Sequence, residues 1–298
     1  MIRFIYLLIC FSCSKVSAQM LNNEKGNLFS ETPFFNEKYI RSINLKSITG
    51  TISSKKELGS IKASGNKESY IFNKKGHLVT HYLTTKVKNK YDTIFTFYEY
   101  KNGNNTVLRV SDSYGFYSYS RDFDSLNRIV SQAFSREKNA SKSKVHFKLE
   151  EKYIIFEETY KYLLNDSIHV VTIFNSNGRP YQIQKKFYNQ LGYLEKTQTK
   201  LLISNKNNTE SYQYNEKGFL KSIKYFKEQN ATPFKEIKYD YDEWGNVTFM
   251  DEYKDNLRVI HKELLYNPSN LVLKTILSQD LISNLITITK FESEFYNY

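Results

Sequence analysis

A five-residue turn, written seven times with the same flanks, constrains this chain more than any other feature. It reads aromatic–Asn/Asp–x–x–Gly/Asn. The copies are Phe72-Asn73-Lys74-Lys75-Gly76, Phe123-Asp124-Ser125-Leu126-Asn127, Phe174-Asn175-Ser176-Asn177-Gly178, Tyr188-Asn189-Gln190-Leu191-Gly192, Tyr214-Asn215-Glu216-Lys217-Gly218, Tyr241-Asp242-Glu243-Trp244-Gly245 and Tyr266-Asn267-Pro268-Ser269-Asn270. In six of them an aliphatic residue stands two places after the turn: Leu78, Ile129, Leu194, Leu220, Val247 and Val272. The third copy has Pro180 there.

Each position has a physical reason. The Asn or Asp side-chain oxygen accepts from backbone amides two residues on and pre-forms a type I turn. Gly at the fourth position takes a positive φ without steric cost, and Asn is the next most tolerant residue. Pro268 suits the second position through its fixed φ. The flanking aromatic and aliphatic residues are expected to meet across the hairpin on its buried face, at about 0.2–1 kcal/mol per pair besides burial.

The fourth positions fall at 76, 127, 178, 192, 218, 245 and 270, so the last four are separated by 26, 27 and 25 residues. The two gaps of 51 residues are each about two such units. Asn102-Gly103 divides the first gap. The second requires a turn near Glu150-Glu151, between the strand-like runs 145–149 and 153–156. The short interval from Gly178 to Gly192 is expected to mark an irregularity in the sheet. A unit of this length holds two strands, a tight turn and a longer return loop, for which 205–208 and 229–233 are candidates. Between turns the chain is rich in Tyr, Phe, Ile, Val and Thr. Residues 235–241 alternate Ile237, Tyr239 and Tyr241 against Glu236, Lys238 and Asp240.

The amino terminus reads as an export signal. Arg3 precedes an apolar run over residues 4–11 that is too short to span a bilayer, and Val16-Ser17-Ala18 matches a small-residue cleavage site. Cys13, directly after the apolar run, offers a second route, lipidation and membrane anchoring. Both cysteines, Cys10 and Cys13, lie in this signal, so the mature chain has no disulfide to draw on. The domains expected are a signal peptide (1–18), an irregular amino-terminal cap (19–66) and a hairpin repeat domain (67–298).

The turn and its flanks resemble the YD repeats of bacterial RHS proteins, over roughly residues 67–275. The resemblance implies an all-β, antiparallel hairpin array forming a curved, elongated open sheet, with a general association with secreted or cell-surface binding. In large members dozens of repeats spiral into a shell around a toxin. Here the units are longer, the copies too few for a shell, and no toxin-like domain follows Asn270.

Chemistry is sparse in the sequence. The formal charge of +12, or +10 without Arg3 and Lys15, favours anionic partners. The basic residues are scattered, however, and the densest run, 138–144, is a diluted loop, which speaks against nucleic acid. His77 and His81 lack a Cys or acidic partner set for a metal. Asn102-Gly103-Asn104-Asn105 lacks the acidic ligands of a calcium loop. The pairs Glu150-Glu151, Glu157-Glu158 and Asp251-Glu252 point to opposite strand faces and make no acid/base dyad. No cofactor is expected. Trp244, at a turn tip, is a candidate contact residue. The residues Asn73, Gly76, Asp124, Asn127, Asn175, Gly178, Asn189, Gly192, Asn215, Gly218, Asp242, Gly245, Asn267 and Asn270 read as architecture.

The leading expectation is a non-catalytic, exported binding or scaffolding protein of the envelope, periplasmic, outer-membrane-associated or extracellular, its partner a protein or glycan. A glycan-binding or glycan-processing protein is the first alternative. An outer-membrane β-barrel is the second, held back because residues 219–228 carry Lys221 and Lys227 on one face and Lys224 and Glu228 on the other.

Overall fold

The computed structural model describes residues 19–87, 90–228 and 230–297, so the expected signal at 1–18, with Cys10 and Cys13, lies outside the described residues. One short helix, α1 (Glu37–Ser42), precedes eighteen strands. These are β1 (Leu45–Lys56), β2 (Lys62–Phe72), β3 (Leu78–Val87), β4 (Lys90–Lys101), β5 (Asn104–Ser111), β6 (Phe116–Phe123), β7 (Ile129–Asn139), β8 (Leu149–Leu164) and β9 (Ile168–Phe174). Then follow β10 (Pro180–Tyr188), β11 (Leu194–Leu201), β12 (Asn207–Tyr214), β13 (Leu220–Lys227), β14 (Lys235–Tyr241), β15 (Val247–Lys254), β16 (Leu257–Tyr266), β17 (Leu273–Asp280) and β18 (Leu285–Phe295).

Every strand is antiparallel to its sequence neighbours, and β1 pairs with both β2 and β18. The closing seam runs from Leu45 opposite Phe295 to Lys56 opposite Leu285. The sheet is therefore a closed eighteen-stranded barrel. This corrects the open curved sheet and, with it, the resemblance to the RHS and YD repeats: the hairpins form a ring that ends where it began, not an extendable array. What the repeat does encode is the all-β antiparallel hairpin.

The turns follow the expected chemistry. In six, the first residue's side-chain oxygen accepts two backbone N–H groups, as Asn73 does from Lys75 at 2.9 Å and His77 at 3.1 Å. The fourth positions Gly76, Asn127, Gly178, Gly192, Gly218 and Gly245 all have positive φ. The seventh turn departs from this. It runs one residue longer, with Asn267 N donating to Val272 O, and Leu271 at φ 49° takes the left-handed place expected of Asn270. The flanks pair as Phe72–Leu78, Phe123–Ile129, Tyr188–Leu194, Tyr214–Leu220 and Tyr241–Val247, whereas Tyr266 meets Leu273, not Val272.

Six of the seven turns lie on one rim, here the near rim; only the Asn175 turn, between β9 and β10, lies on the far rim. The short Gly178–Gly192 interval is thus a single strand, β10, with the motif at both ends. β10 pairs with both β9 and β11, and the irregularity takes the form of register shifts at its two ends, between Pro180 and Gln182 and between Phe187 and Tyr188. Glu150 and Glu151 lie within β8, so the turn expected there is displaced to residues 165–167, where Asn165 N donates to Ile168 O. The segment 140–148 between β7 and β8 is what shifts the phase.

Successive hairpins are cross-linked through the repeat aromatic. The hydroxyl of Tyr214 donates to Leu194 O (3.0 Å), that of Tyr241 to Leu220 O (2.6 Å) and that of Tyr266 to Val247 O (2.9 Å). Each acceptor is the aliphatic residue that follows the preceding near-rim turn. The side chain that ends each turn stacks on the next hairpin's ring: His77 on Tyr100, Tyr193 on Tyr214 and Phe219 on Tyr241. A buried Tyr hydroxyl needs a partner, and these rings supply both an apolar body and a donor.

A ring of this many strands is too wide for its own inward side chains to fill. Residues 19–44 fill part of it. They enter at the near rim, where Gln19 donates to Gly245 O and Met20 N to Asn246 Oδ1 at 3.1 Å. They descend to Glu31, whose backbone oxygen accepts from Tyr98 at 3.0 Å, and return through α1 to the near rim, where Tyr39 donates to Asn270 O. Asn36 caps the helix by accepting from Tyr39 N. Met20, Leu21, Phe34, Phe35 and Ile40 are buried against Ile48, Tyr70, Phe72, Leu264 and Leu273 of the wall. The stretch 19–66 is therefore not a cap on an open array. Its first part is a plug inside the barrel, and residues 45–56 and 62–66 belong to β1 and β2.

Candidate functional site: a chamber beside the plug

The plug sits to one side. Its core contacts come from β1–β5 and β13–β18. The inner wall of β8–β12 is mostly half-buried, with Val171, Ile173 and Thr197 buried, and carries polar and aromatic groups. Strand alternation and register fix which residues these are. Lys186 stands opposite His169 and Thr197, Thr197 opposite Glu210, and Tyr212 opposite Ile223, one of the residues buried against the plug.

Between this wall and residues 23–25 of the plug lies a cavity of about 730 Å³, reaching the near rim at Gly192 and Gly218. Its lining includes Lys25, Lys186, Glu210, Tyr188, Tyr212 and Tyr241. Asn23 is 3% exposed and donates through Nδ2 to the Tyr241 hydroxyl at 2.9 Å. Its Oδ1 is buried with no hydrogen-bond partner among the described residues. A buried acceptor left unmade costs about 1–3 kcal/mol.

The electrostatics are those of a partly dry site. Burial lowers the Lys186 pKa from the usual lysine value; Lys25 lowers it further and Glu210 partly restores it. Burial raises the Tyr212 hydroxyl, and its hydrogen bond to Glu210 raises it further. Tyr188 is raised by burial as well. The phenols stay protonated and present donors beside aromatic faces, while Glu210 supplies an acceptor and Lys186 a donor. Such a set can bind a hydroxylated ligand; it assembles no nucleophile and base.

The sequence reading missed these residues. A signal for them exists in Glu-x-Tyr, where two groups two apart on a strand share one face. Glu68–Tyr70, Glu151–Tyr153, Glu158–Tyr160 and Glu210–Tyr212 all join hydroxyl to carboxylate. Glu158 also accepts from Tyr181, extending the polar wall. Of the residues singled out from sequence, the turn set lies on the two rims, with Gly192 and Gly218 at the cavity mouth. Trp244 stands 56% exposed at its turn tip. His77 and His81 have separate partners, Glu37 at 3.5 Å and Glu68 at 3.1 Å. Among the described residues no cluster of three or more His, Asp or Glu could hold a metal ion.

The outer wall carries charged clusters on β13–β16 and on β5–β7. Lys224 opposes Glu236 (3.8 Å), and Asp251 is 2.6 Å from His261 and 3.5 Å from Arg258. On β5–β7, Arg109 donates to Glu137 (2.5 Å) and pairs with Glu99, while Ser118 donates to Glu137 at 2.9 Å. Residues 140–148 fold back over this network, placing Phe147 on Phe97, on Phe116 and on the Arg109 guanidinium.

No protein-family model matches the chain, and no curated protein matches it. Among solved structures it is similar to a porin-like protein from Bacteroides uniformis, at 12% identity and a TM-score of 0.39, over 85% of this chain and 97% of that one. A porin-like protein from Bacteroides vulgatus is similar at 11% identity and a TM-score of 0.31, over 83% and 97%. The TcdB2-TccC3 structure without its hypervariable C-terminal region matches at 13% identity and a TM-score of 0.30, over 77% of this chain and 15% of that one.

Proposed function

We propose that this chain is an exported β-barrel of the cell envelope, closed to flow by its own amino-terminal segment, that binds a small hydroxyl-rich ligand in the chamber beside the plug. The observation that carries the reading is the one-sided plug. It fills the lumen against two-thirds of the wall and leaves a cavity of about 730 Å³ on the rest, within the roughly 300–1,000 Å³ of ordinary ligand sites. Tyrosine faces, the Lys186 donor and the Glu210 acceptor suit a sugar, whose hydroxyls both donate and accept. The role is binding without catalysis, with a glycan as the partner class, and export rests on the signal at residues 1–18.

Calorimetric titration with maltotriose, cellobiose and chitotriose tests it. Saturable binding to at least one is expected, weakened at least tenfold by Tyr212→Ala. If none binds, or if binding survives that substitution unchanged, the chamber is not the site.

A second reading, an outer-membrane barrel, is favoured by the complete closure of an antiparallel meander. It was the last-ranked alternative from the sequence, and the closed ring fits it better than it fits the open scaffold. Against it stands the outer wall. A membrane barrel presents an apolar band about 25 Å tall, whereas Lys224, Glu236, Lys238, Asp251, His261 and Glu263 line the outside of neighbouring strands here. A wall of this kind suits water.

A further inference from the structure

A second, smaller cavity opens at the near rim, between the β4–β5 and β6–β7 turns. It measures about 350 Å³, its lining includes Lys101, Asn104, Thr106, Arg121, Ser125 and Asn127, and it shares no lining residue with the chamber. Arg121 is half-buried. It stands two places after Tyr119, which packs against the core, and so on the same inner face, opposite Gln132.

The Arg121 guanidinium has no counter-ion among the described residues. Its Nε donates to Gln132 Oε1 at 2.8 Å and its Nη1 to Asn105 Oδ1 at 3.1 Å, both neutral acceptors. Asn105 is oriented for this by its Nδ2, which donates to Glu99 O and Val107 O. Nη2 meets no acceptor among the described residues. The other buried or half-buried arginines differ: Arg109, Arg128 and Arg136 each meet a carboxylate. The acids nearby are engaged elsewhere. Asp124 is held by Arg128 and by its own turn, and Asp122, on the opposite strand face, accepts from Ser131 Oγ at 2.6 Å. Glu158 accepts from Tyr160 and Tyr181, and Glu31 from Tyr117 at 3.2 Å. Burial lowers the Arg121 pKa, and Tyr160, Tyr119 and Glu31 offset this only in part. A charge taken out of water without an opposite charge is costly, so a bound anion would relieve it.

We propose that this cavity is a second ligand site, for a carboxylated sugar whose carboxylate takes the open edge of the Arg121 guanidinium and whose hydroxyls meet Asn104, Ser125 and Asn127. A planar carboxylate matches the guanidinium fork with two parallel hydrogen bonds. One half-buried cation, with the exposed Lys101 beside Asp122 and Asp124 in the lining, suits a single negative charge better than the double charge of a phosphate. Asn104 Nδ2 donates to Asn127 Oδ1 at 2.7 Å, which leaves an acceptor on the first amide and donors on the second for hydroxyl groups. The volume lies within the roughly 300–1,000 Å³ of ordinary ligand sites. The site stands whether or not the chamber binds a sugar.

Calorimetric titration of residues 19–298 with galacturonic acid, galactose and inorganic phosphate tests it. Galacturonic acid is expected to bind saturably and at least tenfold more tightly than galactose or phosphate. Tyr212→Ala, in the chamber, should leave that binding unchanged. Arg121→Met should weaken it at least tenfold. Arg121→Lys keeps the charge without the fork and should weaken it at least threefold, so the result does not hang on the folding of one variant. Equal binding of galactose, tighter binding of phosphate, no binding of galacturonic acid, or binding that survives Arg121→Lys unchanged would overturn the proposal. So would binding lost in Tyr212→Ala, which would assign the acidic sugar to the chamber.

Discussion

Gly76 and Gly178 occupy the same place in the same turn, at φ 87° and 70°, yet only one of them touches the plug. A Cβ on Gly76 would fall inside the van der Waals envelope of the Glu37 carbonyl oxygen and 3.0 Å from Arg41 N, both backbone atoms of α1. A Cβ on Gly178 meets nothing within 4 Å. Gly178→Ala therefore carries only the left-handed conformation, about 1–2 kcal/mol. Gly76→Ala carries the same strain and the displacement of a packed backbone, about 1–3 kcal/mol more. Urea unfolding at pH 7, analysed at equal m, should place the Gly76→Ala midpoint clearly below that of Gly178→Ala. Equal midpoints would mean that α1 does not press on the near-rim turn, and the self-plugged barrel would lose its main support.

Three further outcomes follow from named contacts. Tyr214→Phe removes the hydroxyl that bridges to Leu194 O and should cost about 0.5–1.5 kcal/mol, read as a melting decrease of a few degrees; no change would mean that the cross-link between hairpins contributes nothing. Arg109→Met leaves Glu137 buried beneath Phe147 without its cation and should cost about 3–5 kcal/mol in urea unfolding, whereas a cost under 1 kcal/mol would show the outer network to be solvated. Lys186 has its folded pKa lowered by burial and Lys25, so the folded state favours the neutral amine. Its penalty is full below that folded pKa and fades as pH rises from there toward the unfolded value. Lys186→Met should therefore stabilise the chain near pH 7, by an amount that shrinks toward pH 10.5; a pH-independent difference would refute the assignment.

Much of the wall was legible in the sequence. The turn residues, their positive φ and the paired flanks are local chemistry, and Asn73 or Asp242 states that chemistry within five residues. Closure was not legible, because it depends on Leu45 meeting Phe295, a pairing that no local pattern encodes. The phase error at Glu150-Glu151 has a similar origin. Counting units of 26 residues back from Gly192 reaches Asp166 and the true turn, but the far-rim copy at Gly178 repeats the motif on the wrong end of β10 and misleads the count. The plug was missed because residues 19–44 carry no repeat and little periodicity, and their apolar residues gain meaning only once a lumen exists to receive them. The chamber was legible only in retrospect, through Glu-x-Tyr pairs whose significance depends on which face looks inward.

We propose that this barrel stands in water around its own plug rather than in an outer membrane. Flotation of residues 19–298 with phospholipid vesicles in a density gradient tests it most directly. The account predicts a folded, β-rich protein that stays with the soluble fraction without detergent and leaves vesicles loaded with dye intact. A chain that floats with the vesicles and releases the dye would contradict it.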